Sequence, residues 1–166
     1  MTDDAPLRIR PLRPQDHAAL PAILMPVIRA GDTYALDPGM SEAAALAYWS
    51  GPDKTGFVAE RAGRILGTYY LRANQAGGGA HVANAGYMTA ADAGGQGVGR
   101  AMAEHSLVQA RTMGFRAMQF NFVVSSNTRA VRLWQALGFA TVGTVPGAFR
   151  RPDGVEVDAL VMFRRL

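Results

Sequence analysis

Residues Gly94-Gly95-Gln96-Gly97-Val98-Gly99-Arg100 place four glycines within six positions, between a strand-like segment and a long amphipathic helix pattern. Glycine leaves consecutive backbone N–H groups unobstructed by a Cβ. The helix that follows adds the positive end of its dipole, so the segment suits an anion such as a phosphate. Spacing excludes two familiar phosphate loops. No Lys-Ser or Lys-Thr pair follows the glycines, as a Walker A loop requires, and G-x-G-x-x-G fails at Arg100 or at Met102 in its two possible registers. What remains is x-x-G-x-G at Gly97 and Gly99. A glycine-rich turn that merely redirects the chain would look the same locally.

A second pattern lies about thirty residues further on: Asn127-x-x-Ala130-x-x-Leu133-Trp134-x-x-Leu137-Gly138-Phe139. The glycine loop with Arg100-Ala101-Met102 resembles the pyrophosphate-binding motif of the GNAT superfamily of acetyl-CoA-dependent N-acetyltransferases. The second pattern is similar to that family's N-x-x-A-x-x-L-Y-x-x-x-G-F, at the expected distance. The two cover roughly residues 80 to 145. Two positions depart from the family: Gly94 stands where Arg or Gln is usual, and Trp134 where Tyr is frequent.

The resemblance implies acetyl-CoA as cosubstrate, its pyrophosphate held by the backbone of Gly94, Gly95, Gln96, Gly97, Val98, Gly99 and Arg100. It also implies a strand before the loop that splays from its neighbour, so that the pantetheine arm pairs with its backbone at Met88 and Thr89 and a main-chain N–H meets the thioester carbonyl. Asn127 is expected to cap a helix and to lie at the cofactor. Trp134 is expected to pack against pantetheine. An indole N–H only donates a hydrogen bond, so the proton for a leaving thiolate must come from water or from the ammonium formed in the reaction.

No Asp or Glu occupies the strand before the loop, which carries His81 and Asn84. Deprotonating a lysine-like amine at pH 7 costs roughly 4–5 kcal/mol, against about 1.4 for a peptide α-amine, so a missing base disfavours lysine-like acceptors. His81 is a candidate base acting through water, although a lone histidine at a strand edge is more often structural. Tyr70, Glu60, Asp37 and Asp158 are further titratable candidates.

A narrower resemblance bears on the acceptor. His81-Val82-Ala83-Asn84-Ala85-Gly86-Tyr87 and Asn121-Phe122-Val123-Val124-Ser125-Ser126-Asn127 look like the fungal N-acetyltransferases that act on azetidine-2-carboxylate and related proline analogues. That resemblance implies that Asn84 and Asn121 hold the acceptor's amine or carboxylate, a role suited to amides that donate and accept without adding charge to a dry pocket. The plainer reading has the two asparagines satisfying each other or a bulged backbone, since asparagine is disfavoured in strands.

The elements that must position these residues follow from periodicity. Strands are expected at Leu7–Leu12, Phe57–Arg61, Ile65–Arg72, His81–Thr89, Met118–Val124, Thr141–Val145 and Val157–Phe163, and helices at 14–28, Ala43–Trp49, Gly97–Met113 and Asn127–Leu137. Pro21 and Pro26 are potential breaks in the first helix, and Gly147–Gly154 reads as a hairpin loop that can close over substrate. This order predicts an α/β GNAT fold, one domain over residues 1–166, with a mixed sheet of about seven strands and helices on both faces.

Composition narrows the function classes. The chain has 166 residues and no cysteine, which excludes a disulfide framework and an acyl-cysteine intermediate, so acetyl transfer would be direct. Neither Met1–Pro6 nor any later segment reads as a signal peptide or membrane span, giving a cytoplasmic expectation. The net charge of +4 sets seventeen basic residues against thirteen acidic ones, and the basic residues are dispersed apart from Arg150-Arg151 and Arg164-Arg165, which argues against nucleic acid. The expected function is N-acetylation of a small amine, an amino acid or proline-like analogue. Acetylation of a protein or peptide amine and a non-catalytic acyl-CoA sensor are the alternatives. The apolar strand Val157–Phe163 can pair within the sheet or across a homodimer.

Overall fold

The computed structural model describes residues 5–166; Met1–Asp4, part of the segment read for a signal peptide, lie outside them. One seven-stranded sheet is formed by β1 (Arg8–Pro11), β2 (Thr55–Arg61), β3 (Arg64–Ala73), β4 (Val82–Thr89), β5 (Ala117–Val124), β6 (Ala140–Arg150) and β7 (Glu156–Arg165), in the order β1-β2-β3-β4-β5-β7-β6. Every neighbouring pair is antiparallel except β4–β5. The helices are α1 (Pro21–Ala30), α2 (Glu42–Trp49), α3 (Val98–Thr112) and α4 (Thr128–Ala136). The expected α/β mixed sheet with helices on both faces is what the chain forms.

Alternation along β3 assigns the faces. Gly67 and Tyr69 look toward α3: Val98 and Met102 stand against Gly67, and the Tyr69 hydroxyl lies 2.7 Å from His105 Nδ1. Thr68 and Tyr70 look the other way, toward α2, where Trp49 Nε1 donates to Thr68 Oγ1 (3.1 Å) and the Trp49 and Tyr70 rings meet edge to face. The Thr68 hydroxyl donates onward to the Phe57 carbonyl (2.9 Å), so this buried polar chain is satisfied. Trp134 of α4 packs on Tyr87, which pairs with Tyr69, so α4 shares the α3 face.

Two elements differ from the sequence expectation. The first helix splits into a 3₁₀ turn at Pro14–Ala18 and α1, because Pro21 has no N–H to donate and is best placed in a helix's first turn. Pro26 is tolerated inside α1. β6 runs on to Arg150, so the expected loop Gly147–Gly154 shrinks to a tight turn over residues 151–154. The β2–β3 turn, by contrast, sits where expected, with Ala62 and Gly63 both at positive φ (49° and 78°), as the right-handed strand twist favours.

An ion-pair knot holds the start of the chain to the sheet. Arg10 of β1 grips Asp16 with two nitrogens (2.7 and 2.9 Å) and Glu60 of β2 through Nε (2.9 Å), while Arg13 N–H donates to Asp16 Oδ2 (2.7 Å). These bonds hold the buried Asp16 carboxyl below its ordinary value of 3.8. A depressed carboxyl stabilises the fold above its unfolded pKa and loses that contribution as pH falls through the folded one. Asp16→Asn is therefore expected to cost about 2 kcal/mol at neutral pH. In denaturant titrations, the gap from wild type should narrow as the pH falls below 3.8.

Candidate active site

The parallel pair β4–β5 stays together for two register positions, Val82 with Ala117 and Ala83 with Met118, and then diverges. The cause lies in β5. Its ladder with β7 shifts register between Phe120 and Val123, so Asn121 and Phe122 sit in a bulge, which bends a strand and raises its twist. Aromatic bulk fills the widening space: the Trp134 ring centroid lies 5.0 Å from that of Tyr87 on β4 and 4.5 Å from that of Phe120 on β5.

Divergence leaves one edge of β4 without a partner strand. Successive peptide groups of a strand point to opposite edges. Val82 faces β3, since its carbonyl accepts from Asn74 N–H (2.8 Å), and so does Ala90, whose N–H donates to the Leu66 carbonyl (2.8 Å). The even-numbered peptides of β4, Met88 included, are thus turned to β3, while Ala85, Tyr87 and Thr89 face the gap. The Met88 side chain is buried as well, at 2% exposure. The Met88 peptide thus faces β3, against the pairing expected at Met88, and the peptides at this end of β4 that face the gap are those of Tyr87 and Thr89.

The glycine loop lies at the open end of the gap. Gly95 and Gly97 both have φ of 76°, a left-handed backbone that other residues rarely adopt, and Gly97 caps α3 with no side chain. The first N–H groups of α3 are therefore left to an external acceptor. Open space surrounds the points where Cβ atoms would stand on Gly94, Gly95 and Gly97. Gly94 has an ordinary φ of −59°, so nothing in the backbone demands glycine there. Gln96 is tied back to its surroundings: Arg61 Nη1 donates to its Oε1 (2.9 Å), and its Nε2 donates to the Asp92 carbonyl (3.1 Å). A cavity of about 310 Å³ lies against the loop, lined by Gly94, Gly97, Val98, Gly99, Arg100, Thr89, Tyr87 and, from α4, Asn127, Arg129, Ala130 and Trp134.

A second cavity, of about 260 Å³, opens toward α2 and the α1–α2 segment. Its wall includes Tyr34, Tyr48, Tyr70, Asn84, Phe120 and Asn121, with no charged side chain. The two cavities share Tyr87, Asn127, Ala130 and Trp134, so they meet where the strands part. Asn84 Nδ2 donates to the Gln119 carbonyl (3.0 Å), spanning β4 and β5 just past the last ladder rung. Asn121, in the bulge, accepts from Gln119 Nε2 (3.0 Å) and donates to Asn74 Oδ1 (2.7 Å). The two asparagines thus share a cavity without bonding each other. Asn127 accepts from Ala130 N–H (3.3 Å) as the cap of α4.

His81 is corrected as a candidate base: it is exposed just before β4, at the end far from the glycine loop, and lines neither cavity. Of the other titratable candidates, only Tyr70 reaches the second cavity. Glu60 is held by Arg10, Asp37 by Gly39 N–H (2.8 Å) and Asp158 by Gly147 N–H (3.0 Å). Burial pushes the phenols of Tyr34, Tyr70 and Tyr87 well above the ordinary tyrosine value, which keeps them neutral. The Tyr87 hydroxyl is 2.6 Å from Oγ of the buried Ser106, which lines neither cavity. Sequence reasoning missed Tyr34, Tyr48, Tyr87 and Phe120, whose importance depends on which way each faces.

Comparison with known proteins agrees with this geometry. Residues 27–139 match the acetyltransferase (GNAT) family. A GCN5-related N-acetyltransferase from Kribbella flavida is 45% identical, with a TM-score of 0.89 over 96% of this chain and 98% of that one. The yncA protein of Salmonella typhimurium, solved with its cofactor acetyl-CoA, shares the fold at 21% identity, with a TM-score of 0.85 over 96% and 94% of the two chains. The N-acetyltransferase aca1 of Schizosaccharomyces pombe is 33% identical over 86 residues, 52% of this chain and 41% of that protein. The chain thus spans less than half the length of that curated relative. Among the described residues, no helix is long and apolar enough to cross a membrane, and no cluster of three or more His, Cys, Asp or Glu residues could hold a metal ion. With glycine loop, parted strands and capped α4 in one frame, the chain belongs to the GNAT family of acetyltransferases, which take their acetyl group from acetyl-CoA.

Proposed function

We propose that this protein acetylates the amine of a small molecule, an amino acid or proline-like analogue, by direct attack on acetyl-CoA. The observation that carries the reading is the meeting of two cavities at Tyr87, Asn127, Ala130 and Trp134, one against the glycine loop and one without charge. An acetyl-CoA fits the first: the uncapped start of α3 offers N–H donors to a pyrophosphate, Arg100 and Arg129 line the same wall, and the edge of β4 that no strand ladders can pair with an extended amide chain. Acetyl-CoA would supply an activated acetyl thioester.

The protein's part is placement and electrostatics. Backbone N–H groups on the gap-facing edge of β4 are fixed before reaction and can stabilise an oxyanion by several kcal/mol, about 3 for one donor. Asn84, with one amide hydrogen bond already made, keeps its Oδ1 to accept from the acceptor amine. A neutral wall favours the uncharged, nucleophilic form of the amine, because no carboxylate is present to hold an ammonium. Acetylation of a peptide α-amine shares this electrostatic logic, and the volume of about 260 Å³ favours the smaller guest.

The direct test measures CoA release across free amino acids, cyclic imino acids and short peptides, with mass spectrometry of products. Acetylated imino or amino acids are expected; acetylation of peptides alone would shift the acceptor to a macromolecule, and none at all would leave a sensor. Gly97→Val should weaken acetyl-CoA binding about tenfold or more by calorimetry, since a β-branched residue resists positive φ where backbone approaches ligand. Asn84→Ala should raise the barrier in kcat/KM by about 1–3 kcal/mol and lower stability by about 1, because the Gln119 carbonyl loses its donor. Unchanged turnover would remove Asn84 from the acceptor site. With no carboxylate or imidazole in the acceptor wall, kcat/KM should climb about tenfold per pH unit up to the acceptor amine's own pKa. A plateau beginning near pH 6.5 would instead reveal a histidine base.

A further inference from the structure

The gap-facing peptide of Tyr87 already has a partner. Tyr87 N–H donates to the Tyr34 hydroxyl (2.7 Å), and that hydroxyl donates to the Tyr87 carbonyl (2.8 Å). One phenol oxygen thus does what the missing rung of β5 would have done, accepting from an N–H and donating to a C=O on the same strand edge. Such pairing is expected, because buried backbone groups rarely go unpartnered. Tyr34 comes from the segment between α1 and α2, and its ring rests edge-on against Trp49, 6.3 Å between centroids.

An amide of an extended ligand arm lying along β4 needs the same two groups. Its carbonyl would accept from Tyr87 N–H and its N–H would donate to the Tyr87 carbonyl. The phenol and the arm cannot both hold that peptide, since a single N–H makes one good linear bond. We propose that Tyr34 holds the cofactor-pairing edge of β4 and must release the Tyr87 peptide for acyl-CoA to bind. Tyr34 is then a positioning residue, not a contact that strengthens binding. Because Thr33, Tyr34, Ala35 and Leu36 line the acceptor cavity, its release also reshapes that cavity, which couples cofactor occupancy to acceptor fit.

The proposal deepens the acetyl-CoA reading and rests on it. It predicts an unusual sign: removing one oxygen should improve affinity, because the population already free of the competing bond rises. Calorimetry with CoA on Tyr34→Phe is expected to give binding about three- to tenfold tighter than wild type, the equivalent of one net hydrogen bond, together with a lower melting temperature without ligand. Equal or weaker CoA binding by the variant, with wild type binding normally, overturns the displacement and leaves the cofactor reading intact. Failure of wild type itself to bind CoA overturns both. Should the variant not fold, wild-type protein carbon-labelled at tyrosine Cζ gives the answer: the Tyr34 resonance, assigned through its contacts with Trp49, should move on adding CoA. A resonance that stays in place overturns the proposal.

Discussion

Hydrogen bonding between β4 and β5 stops after two positions, and most of what the protein can do depends on that. A parallel pair in the middle of a sheet is normally covered on both faces and laddered, so an unladdered stretch leaves backbone N–H and C=O groups without a strand to pair with. The bulge at Asn121 and Phe122 bends β5 away, and the rings of Tyr87, Phe120 and Trp134 prevent the strands from closing again. A slot lined by backbone donors and acceptors results. The chain spans it at two points with side chains, Asn84 to Gln119 and Tyr34 to Tyr87.

The slot also joins the two faces of the sheet. Even-numbered side chains of β3 and β4, among them Tyr70 and Asn84, look toward α2, whereas Tyr69 and Tyr87 look toward α3. An intact sheet would separate a cavity on the first face from a loop-and-helix site on the second. Parting the strands lets them share four residues. Gly86 contributes quietly: the Tyr70 ring lies 2.7 Å from where its Cβ would stand, so only glycine lets that ring lean over β4 into the cavity wall.

Buried and half-buried tyrosines are numerous around this junction, and three of the hydroxyls have fixed partners: Tyr34 the Tyr87 peptide, Tyr69 His105, Tyr87 Ser106. Burial raises their pKa values, and that of His105 is lowered for the same reason, so all favour the neutral form. Charge is kept to the rim, in pairs such as Arg100 with Glu104 and Arg64 with Asp92. A neutral interior is consistent with chemistry carried by placement and backbone dipoles rather than by a titrating side chain. Trp134 fits this picture. It holds the wedge open by packing on Tyr87, Phe120 and Phe139, a task that needs bulk and no acid.

Local information was enough for the glycine loop, the Asn127 cap, the β2–β3 turn and the alternation of helices and strands, because each depends on residues within a few positions of one another. Hence the family and the glycine-led, uncapped start of α3 could be read from the chain. His81 and Met88 went astray because periodicity cannot tell which edge of a strand will be free, nor which end will face solvent. Those facts are set by where β5 bulges and by what β3 already pairs with. Asn84 and Asn121 were legible as unusual strand residues, yet their bonds to Gln119 and Asn74 arise from contacts up to 47 positions apart. Tyr34 left no signal at all in the sequence, since its partner is a backbone peptide 53 positions away. The sequence determined the elements and the loop; tertiary structure alone decided the parting of the strands and what fills it, because a missing hydrogen-bond rung depends on two segments meeting in space.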